Sequence, residues 1–121
     1  MVHLPPIEFD RIVENALRKI PRRFRQLVAN TVLVVEAEPP QPNLLGLYQG
    51  RPRTERSVTD GFSLPDQITI FQGPHERLAR TRAELERLVT ETVWHEVAHY
   101  FGMSEVQVRR AERRRARLLR R

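Results

Sequence analysis

The residues able to do chemistry are gathered in one stretch, His95-Glu96-Val97-Ala98-His99-Tyr100-Phe101-Gly102-Met103-Ser104-Glu105. Its pattern is H-E-x-x-H-x-x-G-x-x-E. On a helix, two histidines four residues apart point the same way and can reach one metal ion. Glu96 lies one helical step round from His95, where its carboxylate can take a proton from a water on that metal. Gly102 can end the helix and turn the chain, which would bring Glu105 back as a third ligand beside an open fourth position. The competing role for Glu105 is that of an acidic residue in the first turn of a following helix. The chemistry expected is zinc-dependent hydrolysis, with peptide bonds as the first substrate to consider.

The element that must position these groups is a long helix from about Arg82 to about Phe101. Thr81-Arg82-Ala83-Glu84 is a capping box at its start. At 100° per residue, Leu85, Leu88, Val89 and Thr92 share the face of His95, Glu96 and His99, with Val93, Val97 and Tyr100 flanking it and Trp94 and Phe101 behind. Between Thr92 and Phe101 the ionisable side chains other than Tyr100 are the three motif residues. Such a helix is expected to be buried, where two histidines and a glutamate are costly unless paired or bound to metal.

The remaining elements follow in order. Ile7, Phe9, Ile12, Val13, Ala16, Leu17 and Ile20 recur at helical spacing, and Pro21 stops that helix. Arg22 to Ala29 reads as a short further turn or an irregular segment, with Phe24, Leu27 and Val28 as its buried contacts. Thr31 to Glu36 is a β-branched run with little alternation, expected as a strand covered on both faces. Leu44 to Gly50 reads as a second strand and Gln67 to Gln72 as a third, closed by Gly73-Pro74. Arg51 to Gly61 reads as a hairpin or surface loop, and His75 to Arg80 as one helical turn. Ser104 starts a second helix running into the C-terminal tail.

Of the other polar candidates, His3 and His75 stand in loop-like contexts and are expected at the surface. Asp66 fits a turn, or else a partner that orients an active-site histidine. Tyr48 and Tyr100 are expected to pack in the core. Either the second or the third strand could offer its edge to an extended peptide.

Composition narrows the class. The 121 residues suit one domain, with no cysteine and therefore no disulfide or cysteine-held zinc. Neither a signal peptide nor a membrane span is read from the sequence, so the expected setting is the cytoplasm, with no membrane partner. The net charge of +6 is confined to Glu105–Arg121, and the preceding residues are balanced. The chain therefore divides into a neutral body, residues 1–104, and an arginine-rich tail of the same domain, residues 105–121.

With these motifs in place, the sequence resembles the short bacterial zincin-like metallopeptidases, minimal zincins with the motif H-E-x-x-H-x-x-G-x-x-D. The resemblance extends to Ala16-Leu17, Ile20-Pro21, Val32 to Glu36, Leu45 to Gly50, Leu64 to Phe71 and Thr92-Val93-Trp94. It implies a compact α+β domain, a small mixed sheet packed on a buried active-site helix, with no Met-turn. It implies His95 and His99 as zinc ligands, Glu96 as general base and the aspartate position falling on Glu105, one methylene longer. With no large second subdomain to wall a cleft, a short peptide or flexible protein segment is the expected substrate. A homodimer is left open.

Two other classes compete. Arg109, Arg110, Arg113, Arg114, Arg115, Arg117, Arg120 and Arg121 could neutralise the phosphates of a nucleic acid or another acidic surface. With no interleaved aromatic, a solvated terminal helix is the preferred reading of that tail. The third class is a zincin-like interaction domain without turnover, against which the intact Glu96 argues.

Overall fold

The computed structural model describes residues 2–22, 25, 31–50 and 65–100, the last without its side chain. Its elements are α1 (Pro6–Arg18), β1 (Val32–Glu36), β2 (Gly46–Gln49), β3 (Gln67–Phe71), α2 (Gln72–Leu78) and α3 (Arg82–Tyr100). They form an α+β arrangement with a mixed three-stranded sheet in the order β1-β3-β2, the fold class expected from the sequence.

The centre of the sheet is β3. It runs parallel to β1, with Val34 opposite Thr69, and antiparallel to β2, with Leu47 opposite Thr69. Ile68, Thr69, Ile70 and Phe71 are all buried, as a strand covered on both faces requires. The sequence pointed to β1 for that role, and this is corrected: β1 is an edge strand and Val32 is 43% exposed. A β-branched run without alternation is a weak guide here. The central strand carries a polar residue, Thr69, whose hydroxyl accepts a 2.9 Å hydrogen bond from the Gln67 side chain.

Gly73-Pro74 does not close β3 into a loop. Helix α2 begins at Gln72, directly after the strand, with Phe71 still extended at the cap. Proline is tolerated there because the first turn of a helix has no internal acceptors for its N–H groups. The extended N-terminal segment is pinned along α2. The Leu4 N–H donates to Glu76 Oε2 at 2.7 Å, Gln72 Nε2 donates to the Leu4 carbonyl at 2.9 Å, and the Val2 N–H donates to the Glu76 carbonyl at 3.2 Å.

Helix α1 follows the expected period, burying Phe9, Ile12, Val13 and Ala16. Ile7 departs from that stripe and is 63% exposed. These side chains join Ile20, Ile68, Ile70, Ala79 and the inner face of α3, namely Leu85, Val89, Val93 and Val97, in a single core cluster. The site helix is therefore clamped between α1 and the sheet.

The turn expected over residues 22–29 lies largely outside the described residues, including Phe24, Leu27 and Val28. So do the loop from Arg51 to Gly61, the turn at Gly102, Glu105 and the arginine-rich tail. No described helix is long and apolar enough to cross a membrane.

Candidate metal centre

Helix α3 starts where its cap requires. The Glu84 N–H donates to Thr81 Oγ1 at 3.1 Å, and the Leu85 N–H donates to the Thr81 carbonyl at 2.9 Å as the first full helical bond. Nineteen residues follow without a break, which keeps His95, Glu96 and His99 in strict helical register. Leu85, Val89, Val93 and Val97 fix the inner side of that helix. The motif residues are thereby turned toward the β2 side.

Along that side the imidazoles converge. The ring centroids of His95 and His99 lie 4.5 Å apart, edge to face at 72°. Both rings are half-buried, whereas Glu96 is 6% exposed. Glu96 Oε2 is 3.6 Å from His99 Nδ1. One ligand atom from each of the three residues fits within a 4.8 Å group, close enough to surround one small cation. Imidazole nitrogens are donors that zinc accepts, and the Glu96 carboxylate stands beside the two that His95 and His99 offer. The residues present fit the metal that the motif implies.

The opposite wall is the start of β2, and its closest approach is made by Gly46. A Cβ at that position would lie 2.9 Å from Thr92 Cγ2, 3.0 Å from Glu96 Cγ and 3.3 Å from the Thr69 carbonyl oxygen. Glycine is what lets the strand lie against the site helix at the level of Glu96. Between the two elements is a pocket of about 310 Å³, lined by Asn43, Leu44, Leu45, Gly46, Leu88, Glu91, Thr92, His95 and Glu96. Asn43 takes a left-handed conformation, φ 65°, in the turn that leads the chain into this wall.

His75 is where the sequence reading is overturned. It is not at the surface but fully buried, bridging α2 to the site helix. His75 Nδ1 lies 2.6 Å from the Phe71 carbonyl, and Nε2 lies 2.9 Å from Thr92 Oγ1. The carbonyl can only accept, so Nδ1 carries the proton. Burial pushes the imidazole below its ordinary pKa, opposed in part by the Phe71 bond, so the ring is neutral and Nε2 accepts from the Thr92 hydroxyl. Thr92 Oγ1 also lies 3.0 Å from the Leu88 carbonyl, but its single hydrogen cannot serve both. Phe71 and Ala79, four residues to either side and both in extended conformation, are buried with it.

A pH dependence follows. The unfolded chain protonates this residue near pH 6.5, whereas the folded chain resists protonation until lower pH. The unfolded state then holds more protons, so stability from this group is full above about pH 6.5 and falls as pH drops toward the depressed folded value. In His75→Leu the Thr92 hydroxyl can return to the Leu88 carbonyl. Denaturant midpoints measured between pH 8 and pH 5 are expected to fall less steeply in that variant than in the parent.

The remaining candidates are placed as follows. Tyr48 is half-buried against the core, as expected, and its hydroxyl donates to Asp66 Oδ2 at 2.8 Å. Asp66 precedes β3, and its carbonyl accepts the Val32 N–H at 2.8 Å. His3 is exposed.

A three-strand mixed sheet beside a helix bearing a His-Glu-His cluster defines a zincin-like domain. Residues 22–115 match the family model for zincin-like metallopeptidases, and the chain belongs to that family. Comparison with curated proteins gives no match.

Proposed function

We propose that the chain is a zinc-dependent peptidase in which His95 and His99 hold the metal, Glu105 completes the protein ligands and Glu96 is the general base. The observation that carries this reading is the grouping of His95, Glu96 and His99 beside a pocket on a single buried helix. Zinc held there would supply a Lewis acid and would lower the pKa of a bound water to about 7. Glu96, fixed between α3 and Gly46, takes the proton from the attacking water. As the carbonyl carbon gains that oxygen and the C–N bond breaks, the carboxyl passes its proton to the departing amine nitrogen.

The substrate reading is an extended peptide or flexible segment. In the order β1-β3-β2 the sheet leaves the outer edge of β2 without a described strand. This edge is next to the site helix and its pocket. A peptide pairing along it would pass the Glu96 carboxylate, with main-chain hydrogen bonds holding it in register.

Metal analysis tests the ligand set. Protein purified without added zinc is expected to carry a single zinc per chain. His99→Ala should lose it, and Glu105→Ala should bind it at least tenfold more weakly. Absence of zinc from the parent even after reconstitution would overturn the proposal.

A further inference from the structure

We propose that the pocket between the start of β2 and α3 selects a substrate residue with a long alkyl stem and a cationic end, the lysine or arginine type. This deepens the peptidase reading and rests on it. The pocket has two chemically distinct parts. Leu44, Leu45 and Leu88 give it apolar wall, and its volume of about 310 Å³ admits one long side chain. At Gly46 strand and helix leave no room between them even for a Cβ, which would lie 2.9 Å from Thr92 Cγ2 and 3.0 Å from Glu96 Cγ. A side chain entering from the Glu96 end must therefore run along the helix rather than down beneath the strand.

What it meets along the helix is Glu91. This carboxylate lines the pocket four residues before His95, about 6 Å along the axis at 1.5 Å per residue. Glu91 is exposed and forms no ion pair with a described residue. Neither lysine nor arginine is among the lining residues. A stem of three or four methylenes can lie on Leu44 and Leu88 while its charged head stays wet at Glu91. An acidic side chain in the same place would bring a second carboxylate up to Glu91, with no lysine or arginine among the pocket's lining residues. A purely apolar chain of equal length would gain the stem contact alone.

Because Glu91 is at a solvent-exposed rim, the charge preference is modest, about threefold to fivefold. Blocked peptides differing at one position, as lysine, norleucine or glutamate, measure it directly. With the zinc-loaded chain, kcat/KM is expected to fall in the order lysine, norleucine, glutamate. Glu91→Gln should bring lysine and norleucine level, and Glu91→Lys should raise glutamate above lysine. The same peptides, dye-labelled, are titrated onto Glu96→Gln protein by fluorescence anisotropy, a readout that needs no turnover. A lysine preference in binding that Glu91→Gln removes supports the pocket assignment even if no peptide is cleaved, in which case the peptidase reading alone falls. Equal affinities or rates for the three peptides, or a lysine preference that survives Glu91→Lys, would overturn it.

Discussion

Glu96→Gln is expected to lower peptide hydrolysis by about a hundredfold to ten-thousandfold, the range for loss of a positioned general base, with zinc content unchanged. The amide keeps the size and shape of the carboxylate but cannot take a proton. Size matters here because Glu96 is buried and its stem packs where Gly46 approaches the helix. Glutamine fits that space, whereas alanine would leave a gap. The metal measurement separates two roles that the geometry alone leaves joined, since the Glu96 carboxylate belongs to the same 4.8 Å group as the two imidazoles. If zinc is lost together with activity, Glu96 is a ligand and the general-base assignment fails. Steady-state kinetics on the zinc-loaded variant should show the loss in kcat, because the main-chain pairing assigned to β2 does not involve this carboxylate.

The second large effect is expected at a residue with no side chain. Gly46→Val would place branched carbons where Thr92 Cγ2 and Glu96 Cγ already stand at 2.9 and 3.0 Å from a Cβ. Overpacking of this kind costs about 1–3 kcal/mol, and the backbone oxygen of Thr69 at 3.3 Å blocks an easy shift of the strand. The helix or the Glu96 side chain must give way instead. Thermal unfolding should show a Tm lowered by several degrees, and the folded fraction should retain little hydrolysis. Gly50, just past the far end of β2, is the control. The nearest atoms to a Cβ there belong to Tyr48, at 3.4 Å or more, so Gly50→Ala should change the Tm little. Equal effects at both glycines would show that general strand stability, and not the approach to Glu96, is at stake.

The parts of this architecture that were legible in the sequence are those fixed by local rules. Thr81 caps α3 through its own hydroxyl, and Leu85 and Val89 of the expected apolar face are buried, although Val93 and Val97, read as flanking, and not Leu88, complete the inner side. The metal motif is legible for the same reason, since four residues on a helix determine its geometry. Roles fixed by tertiary position were not legible. β1 and β3 are both short and β-branched, and only pairing order makes β3 central. His75 followed a Gly-Pro pair that reads as a turn, yet the backbone passes straight from strand to helix there. Its burial depends on Thr92, seventeen residues away, and on Phe9, whose ring centroid is 5.9 Å from its own. Neither contact leaves a mark in the local pattern. The roles read for Gly102, Glu105 and the arginine tail fall outside the described residues.

The clamp of α1 on α3 has a kinetic consequence. Phe9 and Val89 share one core cluster, although about two thirds of the chain's length separates them. Contacts of such long sequence separation form late, because loop-closure entropy must be met before they return any stabilisation. The two histidines are neighbours from the moment a helical turn forms. The wall opposite them comes from β2, where Gly46 stands against Thr92 and Glu96, so it exists only once that long-range contact has also formed. Metal capture at full affinity is thus coupled to completion of folding, and the rate at which added zinc is taken up during refolding should follow the slowest folding phase, not the formation of helix.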